Sequence, residues 1–237
     1  MLLSLYNKLK EYFNAFLHLF YPHLCLECGT DLLSSHTVLC SDCENNLPFS
    51  DLFAIENNII EKSFWGRTKI NAAGAGLFFT KDSVVQILIF ELKYKQNKKA
   101  GWLLGRIIGA AVQHLNRFNA IDLLIPIPIS VKKERQRGFN QSIIICEGIQ
   151  QILPTLKIAT LLKKQKSTSS QTQKGRLQRS EQFDQWFTLQ EAHLIKEANL
   201  LLVDDVITTG ATLAAASQCL WQGQPNSISI AAAAYTL

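Results

Sequence analysis

The stretch that most constrains this chain is NLLLVDDVITTGAT, Asn199 to Thr212. Its unbroken apolar run reads as a strand covered on both faces, the pattern of a parallel sheet with helices above and below. LAAASQCLWQG follows as an alanine-rich helix with Gly223 placed to end it, and NSISIAAAAYTL reads as another strand. The unit is β-loop-α-β. In such folds ligands bind just beyond the carboxyl ends of the strands, and that is where Asp204 and Asp205 are expected.

Gly210 lets the backbone turn without a side chain in the way. The amides of Thr208, Thr209, Gly210, Ala211 and Thr212 then converge on an anion at a helix N-terminus, where peptide dipoles and unpaired N–H groups favour phosphate. Two carboxylates beside such a cradle need partners that donate or carry positive charge: sugar hydroxyls, a magnesium ion or a developing cation. A phosphorylated ribose offers hydroxyls next to a phosphate. The plainer alternative is that the acids cap the following helix.

This stretch resembles the signature of the type I phosphoribosyltransferases. The resemblance implies that Asp204 and Asp205 contact the ribose hydroxyls of phosphoribosyl pyrophosphate and act as the catalytic acids, while residues 208–212 take its 5-phosphate. Further segments narrow it: CLECGTDLLSSHTVLCSDC, FELKYKQNKKAGWLLGRIIG, LIPIPISVKKERQRGFNQS and the tract from Gln171 to Phe187, in this order. Together they look like the ComF family of competence-associated phosphoribosyltransferase-like proteins. The fold so implied is α/β, a type I phosphoribosyltransferase fold with a parallel sheet core flanked by helices. A small N-terminal four-cysteine, zinc-finger-like subdomain precedes it.

The resemblance also places Lys93 and Tyr94 where pyrophosphate leaves, offering a charge and a hydroxyl. LLIPIPIS reads as a second buried strand, and Pro126 and Pro128 suggest that it ends at the site. Arg135 and Arg137 follow, with Gln141 one helical turn beyond Arg137; arginine clamps phosphate oxygens in a bidentate way that lysine cannot. For Arg135 an exposed position at a helix start is the competing reading. From Lys163 to Arg179 the chain is polar and nearly without apolar residues, so a mobile loop is expected there. Lys174, Arg176 and Arg179 are its candidates to complete the site on closure.

Four of the six cysteines form two CxxC pairs, Cys25 with Cys28 and Cys40 with Cys43. The spacing puts four soft thiolates within reach of one tetrahedral ion, with Gly29 allowing a tight first turn, and zinc suits that donor set. Redox disulfides are the alternative, without a thioredoxin-like strand-helix context to support them. Four thiolate ligands leave no open coordination position, so the metal is expected to be structural. His23 and His36 read as surface residues, and Cys146 and Cys219 as core.

At the start, Leu2, Leu5, Tyr6, Leu9, Tyr12, Phe13, Phe16 and Phe20 recur three or four apart, which predicts an amphipathic helix over residues 1–22. Lys8, Lys10 and Glu11 interrupt the apolar residues and no small-residue cleavage site follows, so an export signal is not expected and a cytoplasmic location is. Packing on the chain or a partner is favoured over docking on a membrane surface. Residues 23–66 are expected to form the cysteine subdomain and a linker, and 67–237 the phosphoribosyltransferase-like domain. A formal charge of +5 is concentrated at Lys93 to Lys99, Lys132 to Arg137, Lys163 to Lys166 and Lys174 to Arg179, which favours anionic partners. Two functions meet this pattern. One is binding of phosphoribosyl pyrophosphate with magnesium, for which the resemblance implies a role in natural transformation and uptake of single-stranded DNA. The other is a non-catalytic nucleic-acid-binding adaptor or ligand sensor, contacting other competence proteins, with Tyr94, Trp102 and Phe139 as stacking candidates.

Overall fold

The apolar runs assemble into one five-stranded sheet in which every pairing is parallel. In the computed structural model, which describes residues 20, 22–32, 34, 36–165 and 186–236, its strands are β1 (Ala73–Phe79), β2 (Leu123–Pro126), β3 (Lys157–Ile158), β6 (Asn199–Ile207) and β7 (Ser227–Thr236). Their order is β1-β7-β6-β2-β3; β4 (Leu162–Lys164) and β5 (Phe187–Leu189) form a separate antiparallel ribbon. The helices are α1 (Ser41–Asn45), α2 (Ile59–Ser63), α3 (Val84–Tyr94), α4 (Lys98–Val112), α5 (Val131–Arg137), α6 (Gln141–Ile152) and α7 (Ala211–Trp221). The helix expected over residues 1–22 and the candidates Lys174, Arg176 and Arg179 lie outside the described residues.

The chain divides into two compact units, one ending at Leu47 and one beginning at Pro48. In the second, β6 is central and Leu200 to Val203 are fully buried. Leu200 and Leu202 share a core cluster with Ile228 and Ile230 of β7, Leu213 and Ala216 of α7, and Ile60 and Phe64. Burial on this scale is the main stabilising contribution, about 25 cal/mol per Å² of apolar surface removed from water. The other face is covered by α4 and α6, which pack on each other and on strands of the sheet. Gly105 and Gly148 make that contact possible. A Cβ on Gly105 would stand 2.1 Å from the Ile145 carbonyl oxygen and 2.7 Å from the Gly148 Cα.

The exposed edge of β1 is closed by residues 48–50: Ser50 N–H donates to Gly76 O at 2.9 Å, and Phe78 N–H to Pro48 O at 2.9 Å. Of residues 48–66, grouped with the cysteine segment on sequence grounds, Pro48, Ser50, Asn58 and Glu61 hydrogen-bond to β1. Asn58 caps α2 and its Nδ2 donates to Ala73 O at 2.8 Å, while Glu61 Oε1 accepts from Ala73 N–H at 3.0 Å and also meets Arg117. Lys163 and Lys164, expected to open a mobile loop, instead belong to β4, in register with Thr188 and Phe187. The ladder to β5 satisfies their backbone and anchors them, which side-chain polarity alone does not reveal. Among the described residues no helix is long and apolar enough to cross a membrane.

Candidate functional site

β6 outruns its neighbour on one side only. β2 stops at Pro126, opposite Val203, whereas β7 continues beside β6 as far as Ile207 and Tyr235. Asp204 and Asp205 therefore do not lie beyond the end of their own strand, as expected, but within it, at the step where β2 has ended. The ladder to β7 holds their backbone while the missing β2 opens space beside them. Proline without a backbone N–H suits the last residue of β2, and Ile127 N–H still reaches Val203 O at 2.9 Å.

Three elements converge on that step. From the last turn of α3, Lys93 Nζ pairs with Asp205 Oδ2 at 2.8 Å. From the first turn of α6, Ser142 Oγ donates to Asp204 Oδ1 at 3.3 Å, and Asp205 N–H donates to the same oxygen at 2.9 Å. Withdrawal from water and the neighbouring Asp205 push the Asp204 carboxyl up to about 7; the Asp205 N–H, Lys93 and Ser142 oppose that rise. Asn140 sets the position of Ser142. It caps α6 by accepting from Ser142 N–H at 3.0 Å and donates from Nδ2 to Ile127 O at 2.9 Å, tying the helix start to the end of β2.

Arg137 closes α5, followed by Gly138 in the left-handed conformation at φ 80°. Arg135 and Arg137 thus sit at a helix C-terminus, where cations complement the carbonyl end of the dipole, not at a helix start. Arg137 Nη1 donates to Gln141 Oε1 at 2.7 Å and its guanidinium lies over the Tyr94 ring, 5.7 Å from the centroid. Gln141, expected to contact ligand, is only 1% exposed and its Oε1 contact is with Arg137. Tyr94 is exposed.

The threonine loop leaves β6 at Ile207 and enters α7 through Gly210, whose φ of 69° is the left-handed turn expected of a glycine. Thr208 and Thr209 are exposed, Gly210 is buried against Phe64, and Ala211 and Thr212 begin the helix. Arg67 reaches this loop: its Nη1 donates to Thr209 O at 2.7 Å and to Ser63 O at 3.2 Å.

In the first unit, the four sulfurs of Cys25, Cys28, Cys40 and Cys43 lie within 4.8 Å of one another, with Cys28 and Cys40 3.7 Å apart and no disulfide formed. Tetrahedral thiolates about 2.3 Å from a zinc ion stand about 3.8 Å apart, so the donor set fits that metal. Gly29 turns the first knuckle at φ 71°, its N–H donating to Cys25 O at 3.0 Å, and Cys40 caps the start of α1. Cys40 N–H donates to the Cys25 sulfur at 3.3 Å and Cys43 N–H to the Cys40 sulfur at 3.5 Å. Burial opposes ionisation of Cys25, but the N–H groups of Cys28, Cys40 and Glu27 outweigh it and bring that thiol down to about 6. His23 Nε2 lies against Thr37 O at 2.6 Å, outside the sulfur set.

Comparison with known proteins adds identity to this geometry. The family model for the phosphoribosyl transferase domain matches residues 140–236. Competence protein F of Haemophilus influenzae is 24% identical over 217 residues, 85% of this chain and 92% of its own. Competence protein ComFC of Bacillus subtilis is 34% identical over 108 residues, 45% of this chain and 42% of its own. By these matches the chain is similar to the ComF family. DNA utilization protein YhgH of Escherichia coli O157:H7 is 26% identical over 139 residues, 57% of this chain and 60% of the relative, so the match spans less than two thirds of that relative's length. The chain has the type I phosphoribosyltransferase fold, with the four-cysteine cluster near its N-terminus.

From sequence, Asp204, Asp205 and the 208–212 loop were expected at one strand end, and only the family resemblance put Lys93 beside them. Neither singled out Ser142, Asn140 or Arg67. Asn140 and Ser142 carry an N-cap signal in FNQS, but their reach to Ile127 and Asp204 is a tertiary property. Arg67 stands in a polar turn that matches no motif.

Proposed function

We propose that this protein binds phosphoribosyl pyrophosphate with magnesium on its phosphoribosyltransferase-type fold and acts in natural transformation, in the uptake and handling of incoming single-stranded DNA. One observation carries the ligand reading. A carboxylate pair and a threonine-glycine loop leading into a helix N-terminus follow one another at the end of the same strand. The role in competence rests on the relatives named Competence protein F and Competence protein ComFC.

In this reading the amides and hydroxyls of residues 208–212 hold the 5-phosphate. Asp204 and Asp205 orient the ribose hydroxyls and stabilise the positive charge that develops on the sugar as the bond from C1 to pyrophosphate lengthens. Lys93, Tyr94 and Arg137 hold the departing diphosphate, with Gln141 fixing the guanidinium. Carboxylate oxygens are hard donors that suit magnesium, which when bound neutralises the leaving group. No nucleophilic side chain is required. The four cysteines hold one structural zinc ion.

Calorimetry with magnesium and phosphoribosyl pyrophosphate tests this. The intact protein is expected to release heat that Asp204→Asn combined with Asp205→Asn abolishes, and silence from the intact protein counts against the reading.

A second reading, a nucleic-acid-binding adaptor or ligand sensor on the same fold, draws on the rim of the site. Phe90 and Tyr94 are exposed with ring centroids 5.1 Å apart, and Lys98 lies over Phe139 at 5.6 Å. Rings beside cations make a stacking platform for single strands. It predicts single-stranded DNA affinity that falls steeply with salt, and salt-independent or absent association removes it.

A further inference from the structure

Residues 67–69 are fastened along α7. Gln218 Nε2 donates to Arg67 O at 2.6 Å, the hydroxyls of Thr68 and Ser217 lie 3.0 Å apart, and Trp221 Nε1 donates to Lys69 O at 2.9 Å. The same helix begins at the threonine loop, so the backbone carrying Arg67 is held by the element that the loop starts. Phe64, fully buried three residues earlier, packs against Gly210 and fixes the other side of the turn. The arginine is thus positioned before any ligand arrives.

Its guanidinium meets the loop at one place. Nη1 donates to Thr209 O, the carbonyl immediately before Gly210, and to Ser63 O. Anchoring that carbonyl defines the peptide plane whose N–H belongs to Gly210. Guanidinium has five N–H donors in a rigid fork, and Nη1 accounts for at most two of them. Arg67 is half-buried, so its charge is neither fully screened nor sealed away. The other cation near this strand end, Lys93, is engaged with Asp205.

We propose that Arg67 is a further binding and positioning residue of the 208–212 loop. Nη1 fixes the Thr209 carbonyl, and the rest of the guanidinium supplies positive charge to a phosphoryl group bound at the loop. This rests on the reading of the loop as a phosphate site and adds the one cation that reading lacked. Backbone amides and hydroxyls bind an anion by dipoles alone; a guanidinium beside them selects a phosphorylated sugar over the free sugar.

The test is titration of the full chain with ribose 5-phosphate and, separately, phosphoribosyl pyrophosphate with magnesium, using wild type, Arg67→Gln and Arg67→Lys. Arg67→Gln is expected to weaken ribose 5-phosphate binding about ten- to a hundredfold, the size of a lost charge-assisted hydrogen bond. Arg67→Lys, which keeps charge without the fork, should fall between. That order follows charge, which a merely structural role would not produce. Where Arg67→Gln does not fold, Arg67→Lys alone decides, by a weakening of at least several-fold. Wild type that binds while Arg67→Gln, or in its absence Arg67→Lys, binds equally well overturns the arginine assignment and leaves the loop reading standing. Equal losses in Lys and Gln variants overturn the charge role. Wild type that binds neither compound removes the loop reading and the arginine's role with it.

Discussion

Lys93 Nζ stands 2.8 Å from Asp205 Oδ2, with the two side chains only 21% and 15% exposed. That burial separates the pair from ordinary surface ion pairs, which contribute about 0–1 kcal/mol. Removing one partner of a fully buried pair costs about 3–5 kcal/mol, because the other charge is stranded. Lys93→Met is therefore expected to lose about 2 kcal/mol, discounted for the residual exposure. Lys93→Met with Asp205→Leu should recover most of it. Urea unfolding of the four proteins at neutral pH measures the coupling, and additive losses would show that the pair is not coupled.

The neighbouring carboxyl sets a pH dependence. Asp204 rises from 3.8 to about 7 in the folded chain, through burial and the adjacent Asp205. Between those values the folded state holds a proton that the unfolded state has released. Its contribution to stability is complete below about pH 4 and is lost as pH rises towards about 7, at no more than about 1.4 kcal/mol per pH unit. Asp204→Asn should remove this slope. Comparing urea midpoints of wild type and variant from about pH 4 to pH 8 checks it, and parallel curves contradict the shifted carboxyl. Lys93→Met should move the Asp204 titration, and with it the end of this slope, to still higher pH, since the lysine charge favours carboxylate.

Residues that act through their own segment were readable in sequence; those that act through a tertiary neighbour were not. Leu200 to Val203 announce a doubly covered strand, and the CxxC spacing announces a shared ligand, because in both cases the pattern is local. Asp204 and Asp205 were placed at the right strand and the wrong depth, since the length of β6 depends on its partner β7, which no run in β6 encodes. Gln141 was expected to contact ligand one helical turn beyond Arg137, but it is buried and hydrogen-bonded to Arg137, a pairing of two helices that spacing alone does not reveal. Lys163 and Lys164 read as loop because pairing with β5 is paid in backbone hydrogen bonds, to which side-chain polarity is blind.

Burial of Gln141 makes a prediction of its own. Its Oε1 accepts from Arg137 and its Nε2 donates to Phe139 O at 3.2 Å. Gln141→Leu keeps the volume and removes both bonds, at a cost of about 1–3 kcal/mol for the groups left unsatisfied. With Arg137 loosened, affinity for phosphoribosyl pyrophosphate should drop about tenfold. Arg137→Ala should lose as much affinity with less loss of stability. Calorimetry beside thermal melts separates the two quantities, and a Gln141→Leu protein with unchanged affinity would show that Arg137 needs no support.

Where α4 crosses α6, a single methyl group should be enough to break the fold. A Cβ on Gly148 would stand 2.4 Å from Trp102 O and 2.8 Å from the Gly105 Cα. These contacts are backbone, so no rotamer change relieves them, and the helices must separate. Overpacking of side chains costs about 1–3 kcal/mol, and a backbone collision belongs at or above the upper end. Gly105→Ala and Gly148→Ala are each expected to lower the urea midpoint sharply, against the usual gain of about 0.5–1 kcal/mol for Gly→Ala inside a helix. A neutral or stabilising result at either position rules out this close approach.

The cysteine unit should depend on its metal in a way the sheet unit does not. Up to Leu47, the described buried apolar residues are Cys25, Leu32, Val38, Leu39 and Leu47, too few to offset the entropy of ordering the segment. A structural zinc ion supplies an apparent 10–16 kcal/mol, roughly, in comparably small units. The residues from Pro48 onward have their own core around β6 and do not need that contribution. Metal analysis is expected to find close to one zinc per chain, lost in Cys25→Ala and Cys40→Ala. Chelation should open the segment around residues 22–47 to protease while a fragment beginning near Pro48 survives with its cooperative melt. Protein that is zinc-free, reduced and still protected throughout residues 22–47 would show that the four thiols hold the unit without a metal.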